Sequence, residues 1–220
     1  MTRKLKKIGA ALLSAAMAAV LSGCMYVGVK TELRDNGTAA LTAKFGILKE
    51  YYTDDAFDKE DAEIKSYTVN GKEYMGYEET SEYASYAELA ADMETLSEDG
   101  TSLFKNVDAE MKAGLFVNKY SFTATVANLM GGDDSAEDDE YSDMASSMLT
   151  FDFSLKMPGS VKNYEGGVLN PDGSITFNVN PNAECICSAE STSLNFVGIF
   201  GTIAAVIILI AVLLLRKNKN

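Results

Sequence analysis

Leu149-Thr150-Phe151-Asp152-Phe153-Ser154-Leu155-Lys156-Met157 alternates apolar and polar residues without a break. Period-two alternation is the signature of a strand with one face buried and one face in water. The same pattern recurs along the chain. Tyr120, Phe122, Ala124 and Val126 alternate with Lys119, Ser121, Thr123 and Thr125, and Ile175, Phe177 and Val179 give a strand closed by Pro181. Near the start, Val27, Val29, Thr31 and Leu33 alternate with Lys30 and Glu32. Ala39, Leu41, Ala43, Phe45 and Ile47 then continue on the same parity. Asp35-Asn36-Gly37 separates those two runs, and Asn and Gly tolerate the positive φ of a tight turn, so they are expected to form a hairpin. Asn70-Gly71 marks a second hairpin, between Ser66–Val69 and Lys72–Tyr77.

Helices are fewer. Ser85-Tyr86-Ala87-Glu88 has the spacing of a capping box, in which the Ser and Glu side chains satisfy free amides at a helix start. Leu89, Met93 and Leu96 follow at helical spacing. Asp55 to Ile64 is a weaker helical segment, with Phe57 and Ile64 on its inward side. Strands with one polar face and one or two helices predict an α+β fold: a mostly antiparallel sheet whose apolar face is covered by the helices. A pure β-sandwich is the alternative.

Both ends of the chain carry membrane signals. Arg3, Lys4, Lys6 and Lys7 precede an apolar run from Ile8 to Leu21, and Leu21-Ser22-Gly23-Cys24 follows. A basic start, a short apolar run and small residues before a cut site make residues 1–23 an export signal. The run is 14 residues long, short of the roughly 20 that span a bilayer. The cysteine after the small residues gives the segment the look of a bacterial lipoprotein signal. On that reading Leu21, Ser22 and Gly23 form the lipobox and Cys24 receives a diacylglyceryl group.

At the other end, residues 194–215 hold 22 residues without a charge, long enough at about 1.5 Å each to cross a membrane. Arg216, Lys217 and Lys219 close the chain in a basic tail, residues 216–220. Such a tail favours the cytoplasmic side and places residues 24–193 outside, as the export signal also requires. The chain is thus expected in the cell membrane, lipid-anchored and single-pass.

Four of the 19 basic residues belong to the signal and three to the tail, so 12 face 32 acidic residues in the domain between, a net charge near −20. That argues against nucleic acid, which demands a basic surface, and against electrostatic adhesion to an anionic bilayer. The acidic loop 131–143 lacks the alternating ligand spacing and mid-loop glycine of a calcium loop, and reads as a solvated insertion. Cys185 and Cys187 share one face of a strand with Ala183 and Ala189. They form either a small apolar core pair or a strained disulfide. No metal or cofactor motif is present.

The chain contains no histidine. That removes the commonest base for activating a serine or cysteine nucleophile, and a non-enzymatic role is expected. An envelope hydrolase using a carboxylate pair is the weaker alternative. Tyr67, Tyr74, Tyr77, Tyr83 and Tyr86 crowd into 20 residues. They are read either as strand packing or as a recognition surface for an envelope protein partner in assembly.

The order of these features resembles the LppM-like lipoproteins of Gram-positive bacteria. It runs from a lipobox cysteine through an immediate hairpin to the strand and turn Phe151-Asp152-Phe153-Ser154-Leu155-Lys156-Met157-Pro158-Gly159-Ser160-Val161. A Ser174–Val179 strand and one C-terminal apolar helix follow. Phe177 stands where that family often has a tryptophan. The resemblance implies an extracytoplasmic α+β domain that handles a lipid or glycolipid at the envelope, and it carries no catalytic residues. The first strand is expected to begin two or three residues after Cys24, and the last to end about four residues before Leu194.

Overall fold

A computed structural model describes residues 25–53, 56–57, 63–95, 103–128, 149–180 and 183–217. The expected first hairpin forms. Strands β1 (Met25–Leu33) and β2 (Ala39–Leu48) pair antiparallel from Met25 opposite Ile47 to Leu33 opposite Ala39. Gly37 sits at φ +84°, and Asn36 Oδ1 accepts from the Thr38 amide at 3.1 Å, so the turn uses both residue types its sequence offered. In the second hairpin, β3 (Lys65–Val69) and β4 (Lys72–Tyr83) are joined by Asn70 at φ 50° and Gly71 at φ 79°. Two consecutive left-handed residues match the twist of the flanking strands.

The opening stretch becomes β7 (Leu149–Lys156), which pairs with β1 in parallel, Val27 opposite Phe151 and Val29 opposite Phe153. That register puts the apolar positions of β1, β2 and β7 on one face. β9 (Gly167–Leu169) and β10 (Ser174–Phe177) complete a seven-stranded sheet of order β3-β4-β2-β1-β7-β10-β9. A second, antiparallel sheet has the order β5-β6-β11-β8, with β5 Phe104–Lys112, β6 Val117–Val126, β8 Ser160–Glu165 and β11 Cys185–Leu194.

The fold is α+β, and the cover of the apolar face is shared between a sheet and a helix. Phe153 of the large sheet lies 5.1 Å from the Phe104 ring and 6.0 Å from Phe122, both in the small sheet, and 5.2 Å from Phe177 beside it. All four rings are fully buried. Truncating such a ring to alanine typically costs about 3–5 kcal/mol. Helix α1 (Tyr86–Met93) closes the remaining side with Tyr86, Leu89 and Met93. The Ser85 hydroxyl accepts from the Glu88 amide at 3.1 Å, while the Glu88 carboxylate accepts from Ala84, one residue before the cap, at 3.0 Å.

Leu96 and the acidic loop 131–143 lie outside the described residues. So does most of the Asp55–Ile64 segment, although Phe57 packs edge-on against Tyr77 at 5.3 Å. The last strand does not stop short of the apolar run. β11 continues through Leu194, and α2 (Phe196–Lys217) opens after a single residue, Asn195. It stays in the sheet because its partner β6 matches it to the end, Val117 opposite Leu194. Residues Phe196–Leu213 are long and apolar enough to cross a membrane, and beyond the first turn or two of the helix they are exposed.

Candidate functional site at the strand-to-helix junction

Asn195 is the whole linker between the folded sheet and α2, and each of its polar groups is used. Its amide donates to the Phe116 carbonyl at 2.8 Å, and its carbonyl accepts from the Ile199 amide at 3.0 Å. Its side-chain Nδ2 donates to the Gly114 carbonyl at 2.6 Å, and Oδ1 accepts from the Gly198 amide at 3.0 Å. An amide side chain supplies a fixed donor and a fixed acceptor together. Asn195 therefore caps the helix and ties its start to the tip of the β5–β6 hairpin. A Cβ on Gly198 would come within 1.9 Å of the Leu115 carbonyl oxygen, so glycine is what allows that approach. In the next turn the Thr202 hydroxyl donates to the Gly198 carbonyl at 2.8 Å.

The end of β11 is fixed from its other side. The Ser191 hydroxyl donates to the Pro158 carbonyl at 2.8 Å, and Gly159, at φ +71°, packs against the Thr192 carbonyl. Tyr120 and Ser193 share a hydrogen bond of 2.9 Å between their hydroxyls. Pro158 lies just past the C-terminal end of β7, and β7 runs parallel to β1. Leu194 is therefore at the Leu33 end of the domain and Met25 is at the opposite end. β1, nine residues long, spans roughly 27 Å between those two ends. Leu21, Ser22, Gly23 and Cys24 lie outside the described residues, and β1 opens at the residue after Cys24.

No family model matches the sequence, and no curated protein is similar to it. Among solved structures, the NMR structure of the folded domain of Mycobacterium tuberculosis LppM is similar. It is 11% identical over 80% of this chain and 93% of that one, with a TM-score of 0.45.

The tyrosine-rich segment does not form an exposed recognition surface. Tyr74, Tyr77, Tyr83 and Tyr86 are buried, and Tyr67 is half-buried. Their positions follow from strand parity and from helix packing. The Tyr83 hydroxyl donates to Asp92 at 2.6 Å and the Tyr86 hydroxyl to the Arg34 carbonyl at 2.5 Å. Burial is the main reason each of these two phenols titrates above its ordinary range. Burial also pushes the Tyr77 phenol up to about 12, with the Glu79 charge adding to the effect.

Tyr67 stacks on Tyr74 at 6.1 Å and meets Tyr26 edge-on at 5.8 Å, on the outer face of the large sheet. These rings cover glycines: a Cβ on Gly46 would lie 1.9 Å from the Tyr67 hydroxyl, and one on Gly28 would lie 2.5 Å from the Tyr26 hydroxyl. The Tyr67 hydroxyl is buried without a hydrogen-bond partner among the described residues, and the Lys44 ammonium sits 5.2 Å from its ring centroid.

Cys185 and Cys187 occupy successive inward positions of β11, opposite Val126 and Ala124. Both are free thiols; Cys187 is buried in the core and Cys185 is half-buried beside it. Burial, then the neighbouring Cys185, raises the Cys187 thiol above its ordinary range, which keeps it protonated and unreactive. Among the described residues, no group of three or more Cys, Asp or Glu side chains is placed to hold a metal ion. Sequence reasoning missed Asn195. It was absorbed into an uncharged run, and only a hairpin 81 residues earlier reveals its role.

Proposed function

We propose that the chain is a non-enzymatic cell-envelope lipoprotein that holds its domain against the outer face of the plasma membrane. There it engages a lipid or glycolipid. Cys24 carries the diacylglyceryl group, α2 spans the bilayer, and Arg216, Lys217 and Lys219 lie on the cytoplasmic side. The observation that carries this reading is the absence of slack. β11 passes into the apolar helix through Asn195 alone, and β1 opens at Met25. An extended residue reaches at most about 3.6 Å, so neither anchor leaves the domain free to search the space above the membrane. A protein tethered this closely works on ligands at the headgroups.

The test is photo-crosslinking of the intact chain in living cells, read for lipids and for proteins together. Recovery of a lipid or glycolipid that competes with the label supports the reading. Recovery of one envelope protein and no lipid replaces it with an assembly role. Metabolic labelling with a clickable fatty acid checks the anchor, and the label is expected to vanish in Cys24→Ala.

A further inference from the structure

The tip of the β5–β6 hairpin is apolar and exposed. Leu115 is 60% exposed and Phe116 52% exposed, next to Leu194 at 58% and Phe196 at 61%. A short hairpin tip is normally polar with turn-forming residues, and large apolar side chains there have no folding role. We propose that Leu115 and Phe116 enter the outer leaflet of the bilayer that α2 spans, as a second membrane contact held rigidly against the first turn of that helix. The proposal rests on the reading of α2 as a membrane span.

Three observations identify lipid as the occupant. The first is continuity: the tip is clamped to α2 by Asn195 through Gly114 and Phe116, and Gly198 lies against the Leu115 carbonyl. Wherever the first turn of the helix goes, the tip goes with it. The second is backbone satisfaction. Unpaired carbonyls are costly in a bilayer, and Asn195 occupies the Gly114 and Phe116 carbonyls. The third is charge. On a domain with a net charge near −20, residues 111–119 hold Lys112 and Lys119 and no carboxylate, and residues 191–215 hold no charge at all.

Lys112 and Lys119 face each other across β5 and β6. Like charges directly opposite destabilise a sheet unless something neutralises them. Lys112 pairs with Glu110 at 2.7 Å. Both lysines lie within roughly 10 Å of Phe116 along the strands, which puts them at headgroup phosphates when the rings are below.

The chain has no tryptophan, so one introduced residue is a clean reporter. The intact chain is placed in vesicles of phosphatidylglycerol and phosphatidylcholine, with some of the phosphatidylcholine brominated near the headgroup end of its acyl chains. Phe116→Trp and Leu115→Trp, both exposed positions, are expected to emit blue-shifted light that the bromines quench and aqueous iodide does not. Ile208→Trp reports the helix, and Thr80→Trp on the open sheet face reports water. Water-like emission at 115 and 116 beside a quenched 208 overturns the hairpin contact alone. Water-like emission at 208 overturns the spanning helix, and the hairpin contact with it.

Discussion

Asn195 Nδ2 donates to the Gly114 carbonyl at 2.6 Å while Oδ1 of the same side chain caps Gly198, so one amide locks a helix start to a hairpin tip. Asn195→Ala removes both bonds. Loss of a helix cap typically costs about 1 kcal/mol, and an unpaired carbonyl in a dry site about 1–3 kcal/mol. The variant is expected to lose on the order of 2–3 kcal/mol in unfolding experiments on the intact chain in nanodiscs. Faster hydrogen exchange at the Gly198 amide should accompany the loss. Wild-type exchange at that amide would show that the cap is not made.

Gly198 inverts a familiar preference. Replacing a glycine inside a helix with alanine usually stabilises it by about 1 kcal/mol. Here the new Cβ would meet the Leu115 carbonyl oxygen at 1.9 Å, a backbone atom that no side-chain rotation can move. Gly198→Ala is therefore expected to destabilise the junction and raise protease cleavage between Lys112 and Val117. Gly201→Ala meets nothing within 4 Å and is expected to follow the ordinary preference. The pair of variants separates packing from propensity, and equal behaviour of the two would remove the argument.

Tyr67 carries a hydroxyl that folding buries without a partner among the described residues, against a glycine that makes room for it. Leaving a polar group unpaired costs about 1–3 kcal/mol, so Tyr67→Phe is expected to leave stability unchanged or raise it by about 1 kcal/mol. Tyr67→Ala loses the ring stacked on Tyr74 and should destabilise. Urea unfolding of the three proteins decides the order. A clear loss in Tyr67→Phe would mean the hydroxyl finds a partner in solution.

Alkaline pH should unfold the domain through its phenols. Tyr26, Tyr67, Tyr77, Tyr83 and Tyr86 are all held above the ordinary tyrosine range, mainly by burial, Tyr77 at about 12. A raised folded value means the neutral phenol is favoured in the fold. That stability is fully present below the unfolded value of about 10 and is lost as pH rises through the folded one. Absorbance at the phenolate band should therefore lag a tyrosine standard between about pH 10 and 12 and rise together with loss of circular dichroism. A phenolate signal that tracks the standard would show these rings to be solvated.

The strands were legible because each keeps one parity against one face. Val27 to Leu33, Ala39 to Ile47 and Phe151 to Leu155 all read correctly, and both tight turns carried the glycine their geometry needs. The partner of each strand was not legible. Nothing local says that β1 accepts β7 in parallel, 124 residues later, with Met25 opposite Leu149. β5 escaped because Phe104 is its one fully buried apolar residue, and Asn106, at φ 52°, breaks its register against β6 between Lys105 and Asp108. Without β5, the strand patterns at Tyr120–Val126 and around Cys185 were not joined into a second sheet, and helices were expected to do its covering, with a β-sandwich as the alternative. The tyrosines left two readings open, and the structure takes the packing one: composition reports crowding, while burial depends on which face of which strand each ring occupies.

Met25 and Leu194 lie at opposite ends of the domain, and this constrains a chain held by both Cys24 and α2. If the lipid on Cys24 and the helix enter one membrane, the strands must run along its surface. A domain standing upright on α2 would carry Met25 roughly 27 Å above the headgroups. Glu50, in the short turn Lys49–Tyr51 that follows β2, is exposed at the Met25 end, where Ile47 pairs with Met25. In the lipidated chain, Glu50→Trp is expected to be quenched by lipid carrying a nitroxide on its headgroup. The same reporter with Cys24→Ser, exported behind a non-lipid signal, should lose that quenching while Ile208→Trp keeps its own. Equal quenching of Glu50→Trp with and without Cys24 would mean that the acyl chains do not set the lie of the domain. Orientation would then fall to the Asn195 clamp alone.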